Sequence, residues 1–234
     1  VSLLTLGVET SGLSGSIALV RDDLIVGTSA LPPGQSRHAQ ALFSESQRLL
    51  QRHSIEPRDL ECVAVSVGPG SFTGLRVGVV FAKTLAYAVG CQVVAVETFQ
   101  AIAAACPPEY HEVFVVSDAQ RGDWFVGHYR REQFESLPMR TGDITIASPF
   151  SFCERLAAAD FTSNSIALVG QVADRLGATL PAPIRVLDSK FAVPQATSVA
   201  LVGAELARSG RVADLWTLEP LYVRRSAAEE QRAS

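Results

Sequence analysis

Residues 62–78 constrain the fold of this chain more than any other stretch. Val63, Ala64, Val65, Ser66 and Val67 make a short apolar run rich in β-branched residues, ending at Gly68. Such a run, closed by glycine and proline, reads as a buried strand. Gly68-Pro69-Gly70 is a tight turn. Ser71 or Thr73 then serves as N-cap, since each offers a side-chain oxygen to the unpaired N–H groups of a first helical turn. The helix runs to about residue 88 and stops at Gly90, a left-handed terminator. A strand, a glycine turn and a helix N-terminus together suit an anion. Neither familiar phosphate motif is complete, however. A P-loop needs a lysine after its last glycine, where this chain has Leu75, and a dinucleotide fingerprint spaces its third glycine differently. Pro69 also removes an N–H from the turn. The turn is therefore read as structural, or as a contact for a partner.

The helix carries a second signal. Gly74, Gly78, Ala82 and Ala86 recur every fourth residue and form one stripe of small side chains. Leu75, Val77, Val79, Val80, Phe81 and Leu85 cover most of the remainder. A helix apolar nearly all round is buried or docks on something. It is short for a membrane span, and Arg76 and Lys83 interrupt it. Two readings stay open. Either the helix is sandwiched within one domain, or one face lies on its own sheet and the other, together with a helix over 36–52, meets a partner. In the second reading the small stripe admits the partner's backbone.

At 234 residues, 47% hydrophobic and 19% charged, the chain can bury a sizeable core. Its net charge of −4 argues against an unaided grip on nucleic acid. The four cysteines are scattered, with no Cys-x-x-Cys pair, which points to a reducing compartment, the cytoplasm. No basic-then-apolar leader pattern stands at the start, and no membrane association is expected.

Read in order, the chain begins with three strands near 3–8, 16–20 and 24–30 joined by tight turns, a β-meander. An amphipathic helix follows over 36–52, with Ala39, Leu42, Phe43, Leu49 and Leu50 on one face. After the strand and helix described above come a strand at 92–96 and a helix from Thr98 to about residue 105. Strands at 113–117 and 124–130 open a second series. It continues with an irregular stretch holding one more strand, helices near 150–158 and 171–176, and strands near 166–170 and 184–187. A helix over 196–208 and an extended piece at 221–223 complete it. The same order of strands and helices twice over implies a duplicated α/β domain with mixed sheets flanked by helices. This is the plan of the actin, sugar-kinase and heat-shock ATPase fold, built from two ribonuclease H-like halves. The expected boundaries are 1–108, a shortened second half at 109–225, and a frayed tail at 226–234.

Gly-Pro-Gly-Ser-Phe-Thr-Gly-Leu-Arg-Val-Gly at 68–78 resembles the signature of the TsaB (YeaZ) family. Leu6-Gly7-Val8-Glu9-Thr10, Ser36-Arg37-His38, Asp118-Ala119-Gln120-Arg121-Gly122 and Pro220-Leu221-Tyr222-Val223-Arg224 resemble further family positions in family order. The resemblance implies a non-catalytic subunit of the machinery that forms threonylcarbamoyladenosine next to the anticodon of tRNA. It implies a larger metal- and nucleotide-binding paralogue as partner, a small ATPase that joins the pair, self-association as a homodimer when alone, and tRNA contact only through the complex. The interface is placed on Gly70, Ser71, Phe72, Thr73, Gly74, Arg76, Gly78, Ala82 and Ala86.

Two alternatives are weighed beside it: a small-molecule kinase or nucleotide-binding ATPase of the same fold, and a glycoprotease-like metallopeptidase. In kinase-like relatives the first hairpin holds an acidic residue and hydroxyls near nucleotide phosphates. Here Glu9, Thr10 and Ser11 match that hairpin and Asp118 matches its counterpart in the second half, a set that suits weak ATP or ADP binding with Mg²⁺. The competing reading is that they are plain turn residues. Glu9 stands where aspartate is usual, and the second hairpin lacks a glycine-dense loop, so no tightly bound cofactor is expected. A metallopeptidase is disfavoured, because His38, His53, His111 and His128 form no His-x-x-x-His pair. Ser71 lacks the Gly-x-Ser-x-Gly setting of a hydrolase nucleophile.

Overall fold

The computed structural model describes residues 2–32, 35–132, 137–159, 161 and 165–224, with side chains throughout except at 35–39 and 177–179. The expected tail at 226–234 and the side chains of Ser36, Arg37 and His38 lie outside the described residues. The chain forms two compact units. Among the described residues, unit 1 lies within 2–101 and 194–221, and unit 2 within 102–193 and 222–224.

Unit 1 holds β1 (Leu4–Glu9), β2 (Ser16–Arg21), β3 (Leu24–Ala30), α1 (Gln35–Arg52), β4 (Cys62–Gly68), α2 (Phe72–Val89) and β5 (Gln92–Glu97). Its sheet has the order β3-β2-β1-β4-β5, antiparallel through β3, β2 and β1 and parallel through β1, β4 and β5. β1 and β4 are buried along their whole length, so both faces of the sheet need cover. Leu6, Val8, Val63 and Val65 share a core with Leu42 and Leu49 of α1 and Val79 and Ala82 of α2. The opposite face carries small residues: Gly7, Ala18 and Ala64. A helix from near the end of the chain, Ala196–Arg208, seats on them, with Ala196 and Ala200 packed on Ala18 and Val20.

That seat corrects the expected boundaries. The helix over 196–208, which the order of elements puts in the second half, belongs to unit 1. The division between units falls within Thr98–Ala105 rather than at 108. The physical reason is the fully buried central strand, which local helices cover on one face only.

Unit 2 holds β6 (Glu112–Asp118), β7 (Trp124–Arg130), β8 (Met139–Arg140), β9 (Thr145–Ala147), a helix at Pro149–Ala158, β10 (Ile166–Val169) and β11 (Arg185–Val186). In chain order the α-helices are thus α3 (Thr98–Ala105), α4 (Pro149–Ala158) and α5 (Ala196–Arg208) after α1 and α2. The second sheet runs β11-β10-β6-β7-β8, with β9 also on β7. β6 pairs antiparallel with β7 and parallel with β10, as β1 does with β2 and β4. The duplicated plan is thus the one the chain adopts. Phe152 and Leu156 of α4 pack on Val116, Trp124 and Leu168. Locally, the irregular stretch yields two short strands, not one. The helix expected at 171–176 is a 3₁₀ segment at Ala173–Thr179. The piece at 221–223 is no strand; Leu221 N–H makes a single backbone bond to Val67 O at 2.7 Å.

α2 is the helix among the described residues long and apolar enough to cross a membrane. Seven of its residues are buried in unit 1, including the whole small stripe.

Candidate functional site

The β1–β2 hairpin and the start of α2 meet in unit 1. Ser71, not Thr73, is the N-cap, and its hydroxyl accepts the Gly74 N–H at 3.2 Å. Ser71 N–H donates to the Ser11 carbonyl at 2.7 Å, and Thr10 Oγ1 donates to the Gly74 carbonyl at 2.8 Å. A Cβ on Gly74 would run into the Thr10 carbonyl, and one on Gly70 into Ser11. The helix N-terminus is therefore closed by the chain's own hairpin, which fits the structural reading of this turn.

Glu9 ends β1 fully buried, on the same face as Ser66. Its Oε1 accepts the Ser11 N–H and hydroxyl, while Oε2 has no partner among the described residues. Burial pushes its carboxyl above the ordinary 4.5, opposed in part by the hydrogen bonds from Ser11. Glu9, Thr10 and Ser11 are thus brought together, but inward. A buried acid of this kind stabilises the fold below its unfolded pKa and loses that contribution as pH rises through its folded one. Glu9→Gln, which mimics the protonated form, should match the wild type in urea unfolding near pH 4. It should be the more stable of the two at pH 8. Parallel stability–pH curves would contradict this.

Asp118 belongs to unit 2 and is exposed. Its Oδ1 accepts the Gln120 N–H at 2.7 Å, the bond of a simple turn. Gln120 and Arg121 take φ of 67° and 60°, a conformation that costs non-glycine residues about 1 kcal/mol or more each. Arg224 clasps this turn, donating to the Ala119 carbonyl at 2.6 Å and to Asp123 Oδ2 at 2.7 Å. That gives the Tyr222-Val223-Arg224 stretch a role its sequence did not reveal.

The expected interface divides in two. Gly70, Phe72, Thr73 and Arg76 are exposed and Ser71 is half-buried, with the Arg76 guanidinium 3.9 Å above the Phe72 ring. Gly74, Gly78, Ala82 and Ala86 are buried against the chain's own hairpin and core. The small stripe is therefore not an outward groove. The outward face of α2 is instead Phe72, Thr73, Arg76, Val80, Thr84 and Tyr87. Val80 is 62% exposed and Tyr87 68%, large values for such side chains. Phe43 of α1, expected inside, is 62% exposed and meets Phe81 edge-on at 5.9 Å. Trp216, 74% exposed, lies edge-on to Tyr87 at 5.8 Å. The segment around it is held by Lys83 Nζ, which donates to the Trp216 and Leu218 carbonyls, both at 3.2 Å. Phe43, Tyr87 and Trp216 were missed as surface residues. The signal was present for Phe43, which stands off the line of Leu42, Ser46 and Leu49.

Among the described residues, no three of His, Cys, Asp and Glu gather as a metal would need. A doubled ribonuclease H-like plan with mixed sheets flanked by helices is the fold shared by actin and the sugar kinases. The chain belongs to the family described as TsaD, tRNA N6-adenosine threonylcarbamoyltransferase, whose model matches residues 31–193, and within it to the TsaB (YeaZ) group. It is 31% identical over 125 residues to the tRNA threonylcarbamoyladenosine biosynthesis protein TsaB of Bacillus subtilis, covering 53% of this chain and 54% of the relative. The match thus spans about half the length of that relative. The Escherichia coli protein of the same description is 23% identical over 225 residues, 95% of each chain. Among solved structures, YeaZ from Pseudomonas aeruginosa superposes with a TM-score of 0.79 at 21% identity, covering 94% of this chain and 99% of that one. A ROK hexokinase from Thermus thermophilus reaches 0.50 at 14% identity over 88% of this chain and all of the other. These two likenesses concern the fold alone.

Proposed function

We propose that this chain is a non-catalytic subunit of the machinery that forms threonylcarbamoyladenosine in tRNA. It pairs with a larger catalytic paralogue through the outward face of α2 and the adjoining α1. The observation that carries the reading is the exposed apolar strip of Phe43, Phe72, Val80, Tyr87 and Trp216 on a member of this family. An isolated exposed leucine needs no explanation, whereas several large apolar side chains on adjoining elements suit a protein contact. The inward-turned Glu9 and the turn-bound Asp118 support the non-catalytic part, as does the absence of a His-x-x-x-His pair in the sequence. On this reading the chain holds no tightly bound metal or nucleotide, binds ATP or ADP weakly at most, and reaches tRNA only within the complex. A small ATPase joins the pair, and a homodimer forms through the same face when the chain is alone. The reducing cytoplasm suits its four free cysteines, two of which, Cys62 and Cys106, burial makes inert by pushing their thiols up to about 12.

Val80→Glu tests this. The substitution sits on an exposed position, so the urea midpoint should move by no more than about 0.5 kcal/mol in stability. Self-association and capture of the larger paralogue, measured by sedimentation and by co-purification of the two purified chains, should both be lost. A folded Val80→Glu chain that still associates fully would place the contact elsewhere.

A further inference from the structure

The first two turns of α2 contain Gly74 and Gly78, and each interior glycine weakens a helix by about 1 kcal/mol relative to alanine. Something outside the helix must hold these turns. Two hydrogen bonds and a close steric fit do so. Thr10 Oγ1 donates to the Gly74 carbonyl at 2.8 Å, the Ser11 carbonyl takes the Ser71 N–H at 2.7 Å, and the missing Cβ atoms of Gly70, Gly74 and Gly78 make room for Ser11 and Thr10. A Cβ on Gly78 would strike Thr10 Oγ1 itself. The glycines at 70, 74 and 78 form a slot, and its occupant is residues 10–11 of the same chain. Thr10 is fully buried in it. On the other side of the same two turns stand Phe72, Thr73 and Arg76, at one end of the outward face.

Resting on the docking role of that face, we infer that Thr10 is a positioning residue for it. The hairpin that faces phosphates in kinase-like relatives here fixes the rotation and height of the glycine-weakened start of α2. The presentation of Phe72, Thr73 and Arg76 depends on that hold.

Amide hydrogen exchange and sedimentation of the full chain test this together. Thr10→Val keeps the shape and removes the hydroxyl. It should speed exchange of the amides at 74–78 about tenfold, the worth of one buried hydrogen bond. The amides of α5 should be unchanged, and self-association should weaken several-fold. Thr10→Ser retains the hydroxyl and should restore both. Gly78→Ala should weaken association as Thr10→Val does, because its Cβ would displace the Thr10 hydroxyl from the Gly74 carbonyl. Unchanged exchange at 74–78 in Thr10→Val, or failure of Thr10→Ser to restore it, overturns the inference. Fast exchange with intact association, beside a Val80→Glu chain that no longer associates, overturns this inference and leaves the docking face standing. Intact association in Val80→Glu removes the docking face, and with it the role assigned to Thr10.

Discussion

Ala82→Glu is expected to unfold unit 1, not to separate folded copies. Ala82 has no exposed surface and lies among Leu6, Val65 and Val79 in the core beneath α2. A carboxylate there has no polar partner. An uncompensated buried charge costs about 3–5 kcal/mol, against total stabilities of about 5–15 kcal/mol. Circular dichroism at neutral pH should show a largely unfolded or strongly destabilised chain. Val80→Glu, two residues earlier, should look native in the same experiment. A folded, monomeric Ala82→Glu chain would mean that the small stripe faces outward after all.

Gly7→Val should be nearly as damaging, against the sense of local propensity. Valine is a favoured strand residue, and β1 is a central strand. Packing decides otherwise. A Cβ on Gly7 would run into the Ala196 carbonyl and the backbone and Cβ of Ala200, so the obstacle is a packed helix, not a flexible side chain. Overpacking of this sort costs about 1–3 kcal/mol, and a branched side chain belongs at the upper end. The loss should appear in urea unfolding. Exchange should accelerate in α5, the element displaced, more than in α1 on the other face. A Gly7→Val chain as stable as wild type would contradict the seating of α5 on β1.

These two positions mark where the sequence was legible and where it was not. The strand, turn and helix at 62–89 could be read because each has a local cause: β-branched residues, a Gly-Pro-Gly turn, a serine cap and Gly90 with φ 76° at the end. The doubled order of elements was legible for the same reason. The return of α5 to unit 1 was not, because nothing within 196–208 names the sheet it covers. Its trace lies far away, in Gly7, Ala18 and Ala64, which are small only because a helix approaches them. The stripe of Gly74, Gly78, Ala82 and Ala86 announced a close approach without saying of what. A four-residue period defines a face of a helix, and both an internal hairpin and an external partner satisfy it. The neighbouring Thr10 and Ser11 decide the matter in space. Asp118 behaves as the turn residue that its type suggests. Glu9 does not, since its longer arm folds back on Ser11 and its burial has no signature in a turn-like stretch.

The most direct test of the central claim is the content of threonylcarbamoyladenosine in tRNA from cells depleted of this chain, measured by mass spectrometry of digested nucleosides. The account predicts that the modified nucleoside falls on depletion, returns with the wild-type chain, and fails to return with a stably expressed Val80→Glu chain. A nucleoside level that is unchanged on depletion, or is fully restored by Val80→Glu, would contradict it.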